Sequence, residues 1–270
     1  MAAVVVAPAG LTADEAGAAE RSVRFAVKGD WGWGGAAQAA VTRRMCREHT
    51  RIPFAFVLTT GDNFSWPRGR ATADNWVRPE ACLRRAGLRF HAAWGNHDVV
   101  ASDTATVLGS RRRWYRVRRG PVEIIVLDGN RPRHSAQLRF LRRALRSAPR
   151  ALRVVATHQP VYSSGVHAGG EAQQRFWAPL FRRGGVRLVL QGHNHTYERV
   201  ERDGITYLTT GGGGAPLTPC VRLETGLRRC LPTHHFLAVS VGPGGASVRA
   251  VGTDGSTLER VRIRPRAASG

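Results

Sequence analysis

Six side chains in this sequence are suited to holding metal ions: Asp30, Asp62, Asn96, His158, His193 and His195. They fall in five short motifs, Gly29-Asp30-Trp31-Gly32, Gly61-Asp62-Asn63, Gly95-Asn96-His97-Asp98, Thr157-His158 and Gly192-His193-Asn194-His195. Carboxylates and an amide supply hard oxygens, and imidazoles supply softer nitrogens, a mixture that zinc, iron and manganese accept. One carboxylate can bridge two cations, so the set fits a pair of divalent ions. His193 and His195 are separated by one residue, and in an extended turn alternate side chains point the same way. Asn96 offers a neutral carbonyl oxygen, which leaves His97 free to act on a substrate.

The elements that would position these groups can be read from the flanking residues. Each motif follows an apolar run: Val23 to Val27, Phe54 to Leu58, His91 to Trp94, Leu152 to Ala156 and Val186 to Leu190. Such runs read as buried strands, and the loop beyond a strand's C-terminal end is where open α/β sheets bind ligands. Ala36 to His49, Asp74 to Ala86, Ala136 to Ser147 and Glu171 to Phe181 read as helices. In the third, Leu138, Leu141 and Leu145 form a stripe with arginines outside it. Arg113 to Arg118 and Val122 to Leu127 read as a hairpin about Gly120-Pro121. After His195 only strands are expected, at Thr196 to Glu201, Gly204 to Thr209, Phe236 to Val241, Ser247 to Val251 and Leu258 to Ile263.

The ordered motifs resemble those of the calcineurin-like metallophosphoesterases, and more closely those of the small purple acid phosphatases, whose pattern is GDxG, GDxxY, GNHD or GNHE, VxxH and GHxH. The resemblance runs from about Val23 to Ile263. It implies an α/β fold, a two-sheet β-sandwich flanked by helices, and a hydrolase of phosphoesters. It further implies a first ion on Asp30, a bridging Asp62 and His195, and a second on Asp62, Asn96, His158 and His193. The ions would be zinc, iron, manganese or a mixture. His97 matches an outer histidine that protonates the leaving group or stabilises the phosphorane-like charge, with Asp98 expected to orient it. His167, in Pro160-Val161-Tyr162-Ser163-Ser164-Gly165-Val166-His167, matches a second substrate-facing histidine. The implied substrate is a small anionic phosphomonoester, such as a nucleotide or phosphorylated metabolite. A phosphodiesterase using the same ions, or a degenerate metal-binding scaffold, are the alternatives.

Two departures stand out. Most calcineurin-like enzymes have DxH in the first motif, and Gly32 occupies that histidine's position. The purple branch compensates with the tyrosine of GDxxY, and here that position is Ser65. The first ion is left with three protein ligands and is expected to bind more weakly, without the phenolate that gives iron(III) its purple colour.

Composition bounds the rest. The 270 residues carry a formal charge of +22, with Lys28 the only lysine. Arginine in place of lysine is what a GC-rich genome produces, but the charge also favours an anionic substrate. Runs such as Arg111-Arg112-Arg113 lack the aromatic interleaving of nucleic-acid binders, so nucleic acid is not expected. Hydrophobic residues make up 42%, and no segment reaches membrane-spanning length. The ligands must converge, so one domain is expected over 22–265, between tails at 1–21 and 266–270. Trp31, Trp33 and Trp66 could wall the pocket or belong to the core, and His234 and His235 could serve the pocket or the framework. His49, His91 and His134 read as surface or core residues. Cys46 and Cys82 read as buried thiols within helices. Cys220 and Cys230 bound a short irregular segment and could form a disulfide or stay free; with His234 and His235 they could also hold zinc. A disulfide would favour secretion over a cytoplasmic location. The apolar stretch Ala2 to Ala9 lacks the positive start and the length of a secretory signal.

Overall fold

A computed structural model describes residues 22–146 and 151–264; the expected tails at 1–21 and 266–270 lie outside them. One sheet contains β1 (Val23–Lys28), β2 (Val57–Thr59), β3 (Phe90–Ala92), β11 (His235–Gly242), β12 (Gly245–Gly252) and β13 (Thr257–Ile263), in the order β13-β12-β11-β1-β2-β3. The other contains β4 (Tyr115–Arg119), β5 (Val122–Val126), β6 (Leu152–Ala156), β7 (Val186–Gln191), β8 (Tyr197–Arg202), β9 (Ile205–Thr210) and β10 (Leu227–Leu231), ordered β10-β8-β9-β7-β6-β5-β4. β1, β2 and β3 run parallel, as do β5, β6, β7 and β9, and the remaining pairs are antiparallel.

The apolar strand runs are explained by burial on both faces. Phe25, Val27, Ile124, Val126, Val154, Leu188, Leu190 and Leu237 point between the sheets. Their alternates Ile125, Val155 and Val189 face helices on the second sheet, and Ala26, Val57 and Ala238 face a helix on the first. Period-two alternation therefore changes which layer a side chain enters, not whether it is buried. Helix α1 (Ala36–Arg51) lays Val41 and Met45 on the first sheet. Helix α4 (Ser135–Leu145) lays Leu141 and Leu145 on the second, as the leucine stripe predicts. Each such side chain contributes about 1.5–3 kcal/mol when fully buried. The result is a two-sheet sandwich with helices on both outer faces.

Several boundaries differ from the sequence reading. The helix expected over Asp74–Ala86 is instead a π-turn, Ala73–Val77, followed by α2 (Ala81–Arg85). Pro79 lacks an N–H and disfavours helix in the residue before it. A short helix, α3 (Asp103–Thr106), was not anticipated. The helix expected over Glu171–Phe181 divides at Trp177 into α5 (Glu171–Phe176) and α6 (Ala178–Arg183), because Pro179 has no N–H for the Arg175 carbonyl. Ser147, the expected end of the third helix, lies outside the described residues. β10 forms within a segment read as irregular, pairing antiparallel with β8.

The cysteines form two disulfides. Cys220–Cys230 closes the segment leading into β10. Cys46 and Cys82, expected as thiols, are joined to each other and link α1 to α2. Among the described residues, no helix is long and apolar enough to cross a membrane.

Candidate active site

The loops after β1, β2, β3, β6 and β7 converge at one edge of the sandwich. They are stitched by backbone bonds: Asp30 N–H to Gly61 O (3.0 Å), Trp31 N–H to Asp62 O (3.2 Å) and Gly192 N–H to His158 O (2.9 Å). Asp30, Asp62 and His193 all adopt positive φ, at 54°, 47° and 71°. Non-glycine residues hold such conformations only when their surroundings impose them, and such residues cluster at functional sites. Gly95 is required by close approach, since a Cβ there would overlap the Asp62 carboxylate and backbone nitrogen.

Donor atoms meet at the centre. His158 Nε2 lies 3.0 Å from Asn96 Oδ1, 3.2 Å from His193 Nδ1 and 3.4 Å from Asp62 Oδ2. His195 Nε2 lies 3.5 Å from Asp30 Oδ1, and ligand atoms of Asp30, Asp62 and His158 all fall within 4.8 Å of one another. Ligands about 2.1 Å from a tetrahedral ion stand ~3.4 Å apart, so these spacings fit coordination of a common cation. The tautomers agree. His158 Nδ1–H donates to Thr60 O (2.9 Å) and His195 Nδ1–H to Pro216 O (2.6 Å), leaving each Nε2 facing inward.

The electrostatics point the same way. Burial alone would lower His158, but the carboxylates of Asp62 and Asp30 outweigh it and raise it to about 10. Burial would raise Asp62, yet His158 and His97 hold it well below the usual carboxylate range. Burial, helped by nearby His158, pushes His193 down to about 3, keeping its lone pair free. Two buried carboxylates thus draw in positive charge, which protons on histidine or a metal cation can supply.

His97 borders this cluster. Its backbone N–H donates to Asp62 Oδ1 (2.9 Å) and its Nδ1–H to Ser65 O (2.8 Å), and its Nε2 lies 3.8 Å from Asp62 Oδ2. Asp98 does not touch that imidazole. Its carboxylate is wholly buried and accepts from Gly95 N (2.7 Å), Asn63 Nδ2 (2.9 Å), Thr104 Oγ1 (2.9 Å) and Asn63 N (3.0 Å). Burial and the neighbouring Asp62 push it up to about 6. The expected orienting contact is replaced by a clamp between the second and third motif loops. His167 stacks on His193, with ring centroids 4.0 Å apart. Asn194 holds the His167 backbone at both ends, accepting from its N–H (2.9 Å) and donating to its carbonyl (2.7 Å). Asn194, Asn63 and Thr60 were missed as site residues, although the first two stand inside the motifs.

The other candidates sort by burial. Trp31 is core, with the Lys28 ammonium 3.9 Å above its ring and paired to Glu80 Oε2 at 2.6 Å. Trp33 and Trp66 are exposed and pack on each other. His235 is buried on β11 against Tyr197, with its Nε2 3.1 Å from Thr210 Oγ1, and belongs to the framework. His234 is half-buried near Gly212. Ser65 is buried, its hydroxyl donating to Asp62 O (3.0 Å).

A two-sheet sandwich carrying oxygen and imidazole donors on adjacent loops defines a metallophosphoesterase. The chain belongs to the calcineurin-like phosphoesterases, whose family model matches residues 23–197, and the family implies divalent metals. Purple acid phosphatase 17 of Arabidopsis thaliana is 26% identical over 232 residues, spanning 71% of this chain and 68% of that protein. Among solved structures, GAP50, the anchor in the inner membrane complex of Plasmodium, shares the fold with a TM-score of 0.78 at 19% identity, covering 91% of this chain and 89% of that one. Purple acid phosphatase PPD1 from yellow lupin seeds gives a TM-score of 0.73 at 16% identity, over 90% of this chain and 54% of its own. The chain is a purple acid phosphatase-like hydrolase.

Proposed function

We propose that this hydrolase is a phosphomonoesterase that removes phosphate from a small organic phosphate, such as a nucleotide or phosphorylated metabolite, using two divalent ions. The observation that supports this is the convergence of six donors from five loops with His97 beside them. Asp30, Asp62 and His195 would hold one ion, and Asp62, Asn96, His158 and His193 the other. When bound, the ions polarise a phosphoryl oxygen and make water a nucleophile at neutral pH.

The chain's own residues do the rest. The carbonyls of Thr60 and Pro216 fix the tautomers of His158 and His195. His97, anchored through Nδ1–H to Ser65, turns Nε2 to the site and carries the proton delivered to the leaving oxygen. His167, held against His193 by Asn194, is placed to donate to a non-bridging phosphoryl oxygen. Asp98 is a positioning residue that locks the Asp62 and Asn96 loops together. The three-ligand site fills after the four-ligand site, and without a tyrosine at position 65 the protein is colourless. Two disulfides support a secreted protein.

The test is hydrolysis of a generic aryl phosphate by chelator-treated protein before and after adding Mn²⁺ or Zn²⁺, with the matching diester in parallel. Metal-restored monoester turnover is expected. Preferential diester turnover would make the chain a phosphodiesterase, and metal binding without turnover of either ester would leave a scaffold.

A further inference from the structure

We propose that a groove at the open edge of the sandwich binds a short linear chain of condensed phosphates. Two adjoining cavities form it, of about 790 Å³ and 310 Å³. The larger is lined by Arg111, Arg112, Arg113, Arg116, Arg131 and Arg143. The smaller shares Arg111, Arg112 and Arg116 and adds Arg89 and His91. No carboxylate and no candidate metal donor lines either one.

Where acids lie within reach the arginines pair with them: Arg24, Arg44 and Arg249 share Glu48, and Arg199 lies between Glu201 and Glu259. In the groove, Arg113 meets Asp128 at 3.3 Å and Arg116 meets Glu123 at 3.2 Å. Arg89, Arg111, Arg112, Arg131 and Arg143 have no acidic partner among the described residues. Guanidinium groups gathered on a concave wall without counter-charge favour an anion with several phosphates.

His91 is a second, independent observation. It is 7% exposed, and its Nε2 has no hydrogen-bond partner among the described residues. An unpaired buried polar group is costly, and a ligand oxygen reaching it from the cavity would offset that cost. Burial, with Arg89 and Arg119 nearby, pushes His91 down to about 4, so it meets the ligand as a neutral donor.

Two aromatic residues of the groove, Trp114 and Tyr115, are engaged by the fold rather than free to stack on bases. Trp114 packs on His134 with ring centroids 5.1 Å apart, and the Tyr115 hydroxyl donates to Ala92 O (3.1 Å). With those groups engaged, selection rests on charge, and a chain without bulky substituents fits.

The probe is a methylene-bridged triphosphate analogue, which resists hydrolysis, titrated calorimetrically into the metal-loaded full chain. Saturating orthophosphate is present to occupy the metal centre. Arg111→Ser/Arg112→Ser should weaken binding at least tenfold, whereas Arg182→Ser/Arg183→Ser, on the exposed face of α6, should change it less than twofold. His91→Gln should weaken it as well. Unchanged melting curves certify folding, so the comparison holds even if no ester is turned over. Equal weakening by both double variants, loss of binding in orthophosphate alone, or equally tight binding of a DNA oligonucleotide would each overturn the proposal.

Discussion

Gly32 stands where most of the family has a metal-binding histidine, and the structure makes that exchange costly. Its φ is +56°, and a Cβ there would overlap the carbonyl oxygen of Asn63 and sit 2.7 Å from Phe64 Cα. The left-handed conformation alone costs a non-glycine residue about 1–2 kcal/mol. Relieving the overlap means parting two loops joined by Trp31 N–H to Asp62 O (3.2 Å) and Trp66 N–H to Gly32 O (3.1 Å). Losing both adds about 2 kcal/mol, so Gly32→Ala should cost ~3–4 kcal/mol and lower Tm by roughly 6–16 °C. Gly87 is the control: its φ is +68°, with nothing within 4 Å of an added Cβ. Gly87→Ala should therefore show only the conformational part, a fall of about 2–8 °C. Thermal unfolding followed by circular dichroism measures both, and metal analysis of Gly32→His adds a second readout. Equal falls for the two alanine variants, or an extra tightly held ion in Gly32→His, would refute the reasoning.

Asp62→Ala should abolish hydrolysis and reduce metal content at both positions, and retention of full stoichiometry in elemental analysis would show that Asp62 is no bridge. His97→Ala should keep its metal while turnover falls by roughly 10²-fold or more; loss of metal together with activity would make His97 a ligand. His235, with a folded pKa of about 4, is protonated more readily in the unfolded chain. Its contribution, up to ~3 kcal/mol, is present above about pH 6.5 and lost as pH falls towards 4. Urea unfolding across that range should be less pH-dependent in His235→Gln, and parallel curves would discount the residue. A non-reducing digest should release Cys46–Cys82 and Cys220–Cys230 as cross-linked peptides, with alkylatable thiols at any of the four as the contrary result.

What could be read from the sequence follows from which forces are local. Val154 to Ala156 and Leu188 to Leu190 are apolar on both faces because both faces are covered, so strands and the motifs at their ends were legible. Pro79 and Pro179 also carried their message in the sequence, as helix breaks inside apolar patterns. Contacts across the chain did not. Cys46 and Cys82 are 36 residues apart and meet only because α2 packs beside α1. Asp98 adjoins His97 in sequence, yet its carboxylate turns to Asn63 and Gly95, since three dimensions offer it backbone donors that the sequence does not display. The vacant ligand position at Gly32 was visible as a missing histidine, but the neighbouring Asn63 carbonyl that closes it was not.

The ammonium of Lys28 is the only lysine amine in 270 residues, and it is fully buried against Trp31 and Glu80. In the folded domain the one lysine side chain is therefore out of reach of acylating reagents, amine cross-linkers and enzymes that acetylate or conjugate lysine. The amine emerges when the Trp31 and Glu80 packing over it opens. The acylation rate of this single lysine is therefore a chemical clock for that opening. That clock can be read by mass spectrometry of a single peptide, without any label having been introduced.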